Sequence, residues 1–531
     1  MKLFTFAIYI FLIPILCAVK PNIIFFIADD MRPHHFNCLP QGKGKNWTPN
    51  IDRLSNEGTI LMGQHVVSPI CTPSRYNCLT GKYASRATNS FFVETTKKNE
   101  NQTVVSFNTH ITSSDANLQK YLQAFGYTTG MTGKNHVVEV LGLQKFKSYE
   151  ESARDPENIK TLKFNQSIVK KAMENSGFDF VGNVYHNNPD FLGLHEVAVQ
   201  NMDWITQGGI DFLNKKKQGK PFFLYFATTV PHEPFDEYRS WNANPLITAE
   251  GYLEEPLNVQ APRNSIASRL KEQGFPVNKD TANMLWLDDS LGALLHHLEN
   301  KGELDSTIVF FFSDHGQNAK GTLYQGGVHN PSIVWKKGGF KVGSKSQALI
   351  SNVDFAPTIL DMVGAKWKDK DFDGISFLPV LNGREKFLDR VLYHELGYAR
   401  AIRIGDWKYI TVHYPKKFSQ MSLQDRTLKL NKWNNDRALR HIPIVTKDPK
   451  KRFSHLTALP GGGHAEHEST GSFPYYYDPE QIYNLKTDPE EQNNLIQNQE
   501  MKPTIEKLKT ELLTIMQKLP GTFPINEPST Y

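Results

Sequence analysis

The 531-residue sequence predicts an α/β protein with a large central, mostly parallel sheet flanked by helices. Three continuous apolar runs carry this prediction. Residues 23–28, 222–227 and 308–312 lack the alternation of half-exposed strands and are typical of parallel strands buried on both faces. Helical patterns separate the runs, and the chain is long enough for one large domain and a smaller second one.

Two of the predicted helices have clear ends. The segment from Pro49 to Glu57 stops at Gly58, and the leucine-rich residues 284–299 stop before Gly302. The second helix leads directly into the apolar run at 308–312. This is the helix–strand alternation of an α/β sheet.

The sequence pattern changes after about residue 385, where residues 391–395 and 401–410 are typical of strands in an antiparallel sheet. We therefore expect a large N-terminal domain over residues 19–385 and a smaller C-terminal α+β domain over residues 386–531. A basic insertion at about 411–478 interrupts the second domain. It is either a solvated surface loop or a basic rim that helps to collect polyanionic substrates.

The first 18 residues are predicted to be a secretory signal peptide. Lys2 precedes an apolar run over residues 3–16 that is too short to span a bilayer, and small residues follow at 17–19. Because no later stretch has transmembrane length, we expect no membrane anchor. The mature protein is expected to be soluble and either secreted or lysosomal.

Export would take the chain through an oxidising compartment in which asparagine side chains can accept glycans. Asn101 and Asn165 stand in acceptor sequences, and Asn46 is disfavoured because Pro49 follows its sequence. The net charge of +5 is mild and does not indicate a nucleic-acid partner.

The segment Cys71-Thr72-Pro73-Ser74-Arg75 predicts a helix start. Thr72 can cap a helix that begins at Pro73, and Gly81 can end it. Cys71 would then lie at a helix entrance, where unpaired N–H groups favour an anion, and Arg75 would add a cation about one turn further on. A sulfate or phosphate ester suits such a place. The alternative is that Cys71 is a buried small hydrophobic residue or half of a disulfide.

Polar side chains follow each of the three apolar strands. Asp29 and Asp30 come directly after the first, His232 lies shortly beyond the second, and Asp314 and His315 follow the third. Chemistry in open α/β sheets gathers at the carboxyl ends of the strands. Vicinal carboxylates there repel each other unless a cation lies between them, so a hard divalent ion, calcium, is predicted. The alternative for the Asp29-Asp30 pair is a helix cap or a loop.

Several of these segments resemble motifs of the type I sulfatases. Cys71 to Arg75, followed by Leu79-Thr80-Gly81, resembles the formylglycine signature of that family. Further resemblances lie in Gly133-Lys134-Asn135-His136, Pro231-His232-Glu233-Pro234, residues 320–328 (KGTLYQGGV) and residues 481–490 (QIYNLKTDPE). Asn135 replaces the usual aromatic residue, and Gln325 replaces the usual glutamate.

The resemblance implies a modified cysteine and one calcium ion. Cys71 would be oxidised to formylglycine, and Asp29, Asp30 and Asp314 match the family's calcium ligands, with the modified residue beside them. His315 stands where many members have asparagine. Imidazole is a softer partner for calcium than an amide oxygen.

The resemblance also implies a catalytic role for five further residues. Arg75 and Lys134 would hold the modified residue, whereas Lys320 and His232 would neutralise the oxygens of the sulfate and of the leaving group. His136 would accept a proton. The implied reaction is hydrolysis of a sulfate ester of a carbohydrate, and the implied maturation partner is a formylglycine-generating enzyme.

Two alternatives to a sulfatase stay open on the sequence. One is a phosphodiesterase or phosphonate hydrolase of the same alkaline-phosphatase-like superfamily. The other is a catalytically silent protein that binds sulfated glycans and keeps Cys71 as a thiol. The complete set of Asp, Lys and His candidates argues against this second alternative, and the departures at Asn135, His315 and Gln325 keep it open.

The cysteine count is odd once the signal peptide is removed. Cys17 would leave with that peptide, so that Cys38, Cys71 and Cys78 remain. Cys71 and Cys78 are about two helical turns apart, too far for a disulfide between them. If Cys71 is oxidised, Cys38 and Cys78 could pair or stay reduced.

Overall fold

The computed structural model describes residues 20–384, 390–439, 444, 447–450, 473–476 and 478–525. The predicted signal peptide and Cys17 lie outside these residues. Among the helices of the described part, none combines the length and apolarity that crossing a bilayer requires.

The centre of the protein is an eight-stranded, mostly parallel sheet, as predicted. Its strands in chain order are β1 (Asn22–Asp29), β2 (Thr59–Leu61), β3 (Thr128–Lys134), β4 (Phe180–Tyr185), β5 (Phe222–Pro231), β6 (Thr307–Ser313), β7 (Ser332–Lys336) and β8 (Ser344–Ser346). Their spatial order is β8-β2-β7-β6-β1-β5-β3-β4. Only β7 runs antiparallel to its neighbours β6 and β2. The three apolar runs are the adjacent parallel strands β5, β1 and β6, which confirms that part of the prediction.

The apolar runs are continuous because helices cover both faces of the sheet. Along β1, successive side chains enter two different cores: Ile23, Phe25 and Ile27 in one, and Ile24, Phe26 and Ala28 in the other. Each fully buried side chain of this size contributes about 1.5–3 kcal/mol relative to an exposed one. This burial fixes β1 in the middle of the molecule.

The helices in chain order are α1 (Pro49–Glu57), α2 (Cys71–Thr80), α3 (Ser90–Lys98), α4 (Leu118–Ala124), α5 (Pro156–Asn175), α6 (Met202–Lys215), α7 (Ile266–Glu272), α8 (Lys279–Asn300), α9 (Gln325–Val328), α10 (Phe355–Met362), α11 (Leu378–Leu381), α12 (Lys416–Ser419), α13 (Leu423–Leu439) and α14 (Lys502–Met516). Helices α2, α4, α5 and α10 pack on one face of the sheet, and α1, α6, α7 and α8 pack on the other. Helix α1 has the predicted ends. Helix α8 begins five residues earlier than predicted because the Asn278 side chain caps the backbone N–H groups of Asp280 and Thr281.

A second, four-stranded antiparallel sheet follows, with the order β9 (Val391–Leu396), β10 (Ala399–Ile404), β11 (Trp407–Val412) and β12 (Glu480–Asn484). The single strand predicted over residues 401–410 is wrong, because Gly405 and Asp406 form a two-residue hairpin turn within it. Gly405 has a φ of 56°, which glycine adopts without strain. Helix α14 covers this sheet.

The chain division at about residue 385 stays a prediction. The C-terminal sheet is joined to the first part by hydrogen bonds from Glu395 N to Val67 O (3.0 Å) and between His394 Nδ1 and Val66 O (2.8 Å). The predicted basic insertion contains α12 and α13 in its described residues, and its role also stays a prediction.

Candidate active site

The carboxyl ends of four neighbouring parallel strands bring the predicted residues to one edge of the sheet. Asp29 ends β1, Lys134 ends β3, His232 follows β5 directly, and Asp314 follows β6 directly. Asp30 then turns away from β1 with a φ of 62°, and its N–H donates to Asp314 Oδ1 at 3.1 Å. The sheet topology therefore gathers residues that are far apart in the sequence.

Helix α2 supplies Cys71, but it begins differently from the prediction. Ile70 occupies the N-cap position in extended conformation, so the prediction that Thr72 caps the helix is wrong; Thr72 lies in the first turn and its hydroxyl has no partner. Gly81 ends the helix with a φ of 64°, as predicted. All ten residues of α2 are buried, and Cys71 is 1% exposed.

Four side chains form a cluster that could hold a metal ion. Ligand atoms of Asp30, Cys71, Asp314 and His315 all lie within 4.8 Å of one another. His315 Nε2 is 3.2 Å from Asp30 Oδ1, 3.6 Å from Asp314 Oδ1 and 3.6 Å from Cys71 Sγ. The other ring nitrogen, Nδ1, lies 3.0 Å from the Gly316 carbonyl and can donate to it. This contact directs Nε2 toward the cluster, where a cation can replace its proton.

The electrostatics of the cluster also fit a cation. Burial alone would lower the pKa of His315, but the carboxylates of Asp314 and Asp30 outweigh it and raise the pKa well above its usual value. The surroundings of Nε2 thus stabilise a positive charge at that point. Carboxylate oxygens are the ligands that a hard divalent ion prefers, and the imidazole nitrogen is a softer donor beside them.

Asp29 lies beside this cluster and is bound by two cations. Its carboxylate accepts from Arg75 Nη2 at 3.0 Å and from Lys134 Nζ at 2.6 Å. Arg75 Nη2 also donates to Asp314 Oδ2 at 3.2 Å, so it links the two carboxylates. All four side chains are fully buried. The metal-ligand role of Asp29 stays a prediction.

Asp30 faces the open side of the site and is paired with Lys320. Lys320 Nζ is 2.7 Å from both oxygens of the Asp30 carboxylate. Burial would raise the pKa of Asp30, but the charges of Lys320 and His232 hold it well below its usual range. Burial would likewise lower the pKa of Lys320, and the Asp30 carboxylate raises it instead. Both groups are therefore charged at neutral pH.

The two predicted histidines line the cavity above the cluster. His232 Nε2 lies 2.9 Å from Asn188 Nδ2 and 3.4 Å from Asp30 Oδ2. His136 packs against the Phe107 ring, and its Nδ1 has no hydrogen-bond partner. Burial and the charges of Lys134 and Arg75 hold the pKa of His136 well below its usual value, so the ring is neutral at neutral pH.

The cavity has a volume of about 1010 Å³, and Cys71, Asp30 and Lys320 are part of its lining. Gln317, which was not predicted, also lines the cavity and donates to Asp30 Oδ2 at 3.2 Å. Asn188 was not predicted either. Gln317 lies three residues after Asp314 and could have been found from that proximity, whereas no sequence signal marked Asn188.

Two departures from the family motifs lie outside the cavity lining. The Asn135 side chain accepts from the N–H groups of Val137 and Val138, and it stabilises the turn after β3. Gln325 Oε1 contacts His65 Nε2 at 3.1 Å. Cys38, Cys71 and Cys78 are all free thiols in the structure.

Comparison with known proteins gives matches over nearly the whole chain. The sulfatase family model matches residues 21–365, and a model described as N-sulphoglucosamine sulphohydrolase, C-terminal, matches residues 313–456. An N-acetylglucosamine-6-O-sulfatase of Bacteroides thetaiotaomicron is 26% identical over 96% of this chain and 88% of its own length. A human N-acetylgalactosamine-6-sulfatase is 25% identical over 71% of this chain and 68% of its own length.

The fold is similar to that of a solved structure described as a complex with its substrate D-glucosamine-2-N,6-O-disulfate. The TM-score is 0.57, with 20% identity, over 94% of this chain and 98% of that one. Since the sulfatase model covers well over half of the sequence, the chain belongs to the sulfatase family of sulfuric ester hydrolases.

Proposed function

We propose that the protein hydrolyses sulfate esters of carbohydrates, using a formylglycine derived from Cys71 and one bound calcium ion. The observation that carries this proposal is the convergence of Asp30, Cys71, Asp314 and His315 in one cluster, of which Asp30 and Cys71 line the cavity. The two relatives named above carry the names of sulfatases of amino sugars, which supports a carbohydrate substrate.

The calcium ion would be held by Asp30 and Asp314, with His315 Nε2 as a third ligand. Asp29 and the modified Cys71 complete the set that the family motifs imply. When bound, the ion supplies a fixed double positive charge that draws electron density from the sulfate oxygens. Arg75, Lys134 and Lys320 form ion pairs with the three aspartates.

The chain's own residues would bind and orient the substrate. A formylglycine hydrate at position 71 offers two hydroxyl groups at the start of α2, where first-turn N–H groups favour negative charge. Lys320 and His232 line the cavity beside Asp30, where Lys320 Nζ can donate to sulfate oxygens and His232 is proposed to lie next to the leaving oxygen. Arg75 and Lys134 hold the Asp29 carboxylate in place through their ion pairs with it.

His136 is proposed to accept a proton during release of sulfate. We expect His136→Ala to lower kcat by about 10²–10⁴-fold, the usual contribution of a positioned proton acceptor. Because its pKa is depressed, the neutral ring persists below pH 6.5 and is lost only at lower pH. The acid limb of kcat/KM due to this group should therefore lie below 6.5 and vanish in the variant. His296→Ala, on the exposed face of α8, is the matched control, and equal kcat values for both variants would exclude the role.

The reaction class is tested by comparing substrates. Purified protein is expected to hydrolyse 4-nitrophenyl sulfate and 6-sulfated N-acetylhexosamines with a higher kcat/KM than bis(4-nitrophenyl) phosphate. Faster turnover of the diester would identify a phosphodiesterase instead. Binding of the sulfated sugars without any turnover, together with an unmodified Cys71 thiol, would identify a glycan-binding protein.

The chain is further proposed to be secreted or lysosomal and to meet a formylglycine-generating enzyme on its way. Asn101 is exposed and available to a glycan, whereas the Asn46 side chain is buried and donates to the His34 carbonyl. The Asn165 amide donates to Gln144 O at 2.9 Å. N-terminal sequencing of exported protein checks the predicted cleavage after residue 18.

A further inference from the structure

A second polar cluster lies in the wall of the same cavity and takes no part in the site described above. His34 and His35 follow the Asp29-Asp30 pair in a short turn, and Asp280 lies in the first turn of α8. His35 Nε2 is 3.5 Å from Asp280 Oδ1, and His34 Nε2 is 3.8 Å from Asp280 Oδ2. All three residues line the cavity together with Cys71.

The tautomer of His35 is fixed by the backbone. Its Nδ1 accepts the N–H of Arg32 at 3.0 Å, so in the neutral ring the proton sits on Nε2. That Nε2–H is buried and has no hydrogen-bond partner. The His35 side chain is only 2% exposed, and a distance of 3.5 Å to Asp280 is long for an N–H···O bond. A buried donor of this kind is stabilised when a ligand supplies an acceptor.

The same tautomer disfavours a metal ion at this cluster. A metal needs the Nε2 lone pair, which the Nε2 proton of His35 occupies. Burial also lowers the pKa of His34 to about 4 and lowers that of His35, so both rings are neutral at neutral pH. The cluster therefore offers a fixed N–H donor beside a carboxylate acceptor. A hydroxyl group, which both donates and accepts, is complementary to this pair.

Exposed apolar side chains are present on the cavity rim. Phe91, Leu141 and Phe191 line the same cavity although they are 59%, 71% and 67% exposed. Apolar side chains with a few convergent polar groups are typical of small-molecule sites. A sugar ring has an apolar C–H face and a polar hydroxyl edge, and the cavity offers a surface for each.

We propose that His34, His35 and Asp280 bind hydroxyl groups of the carbohydrate that carries the sulfate, and that they set the specificity for sugar over simple sulfate esters. This inference rests on the proposed function, since it names the residues that recognise the sugar part of the substrate. Its central residue is Asp280, which is 46% exposed and can be changed without opening the core.

The test compares Asp280→Asn and His34→Ala with the parent protein on two substrates. For a 6-sulfated N-acetylhexosamine, each variant should lower kcat/KM about tenfold or more, mainly through KM, as expected for a lost hydrogen bond to a charged group or a polar pair. For 4-nitrophenyl sulfate, which has no hydroxyl group, kcat/KM should change by less than about twofold. Glu299→Gln, exposed near the other end of α8, is the control that should leave both values unchanged.

Deoxygenated substrates separate recognition from a structural effect. A sugar sulfate lacking the bound hydroxyl should be a poorer substrate for the parent protein, and the penalty should disappear in Asp280→Asn. The inference would be overturned if the variants lost kcat/KM equally on both substrates. It would also be overturned if Asp280→Asn kept the parent's loss of kcat/KM for the removal of each hydroxyl group. Loss of a second bound metal ion in Asp280→Asn would also overturn it. If the parent hydrolyses no sulfated sugar, the proposed function fails first, and the inference fails with it.

Discussion

Replacing Cys71 with alanine is expected to reduce sulfate release to the background rate, a loss of roughly 10⁴-fold or more for a missing nucleophile. The fold should survive, because Cys71 Sγ has one polar contact, 3.6 Å from His315 Nε2, and alanine removes a single buried atom. The measurement is sulfate release from an aryl sulfate, together with the thermal unfolding midpoint.

Cys78→Ala is the matched control for this variant, since it removes a second buried thiol from the same helix α2. It should keep its activity. Mass analysis of the peptide containing Cys71 in the parent protein should show an aldehyde in place of the thiol. Full activity in Cys71→Ala, or an unmodified thiol in fully active protein, would refute the assigned nucleophile.

Removing a carboxylate from the metal cluster is expected to have the second largest effect. Asp30→Asn and Asp314→Asn should each release the bound divalent ion and lower kcat/KM by about 10²-fold or more, because the charge that stabilises the sulfate oxygens is lost. Asp314→Asn also weakens a fully buried ion pair with Arg75, and we expect it to lower the free energy of unfolding by about 1–3 kcal/mol.

Elemental analysis of the purified variants measures the ion directly. The parent should contain about one calcium ion per chain, and Asp305→Asn, an exposed carboxylate paired with Lys337, should retain it. An active parent protein without any divalent ion would contradict the proposed site. So would Asp30→Asn or Asp314→Asn protein that keeps both its ion and its activity.

Much of the fold could be predicted because the decisive signals are local. Continuous apolar runs identified β1, β5 and β6, and the residues directly after them proved to lie at one edge of the sheet. The strands next to these three, β3 and β7, were not identified, since their short and mixed sequences look like many loops. Neighbouring strands of a parallel sheet come from distant parts of the chain, so their pairing leaves no local sequence pattern.

The details of the site depended on contacts that no local pattern records. The prediction of a Thr72 cap was wrong because Ile70, in extended conformation, is the N-cap residue of a helix that is buried along its whole length. The buried pair of Lys408 and Glu491 is a similar case: Glu491 also accepts the N–H of Gln325 at 2.5 Å, and so attaches the loop after Lys320 to the C-terminal sheet. These partners are far apart in the sequence, so only the folded chain shows that they meet.

The burial of α2 bears on the order in which modification of Cys71 and folding would occur. Every residue of this helix is buried, and Cys71 lines the cavity. If an enzyme modifies Cys71, as proposed above, and has to bind the residues around it, it must act before α2 is buried. Under that proposal, modification and folding would compete in time, and a chain that folded first would keep its thiol. The yield of active protein would then depend on the rate of folding relative to the supply of the modifying enzyme.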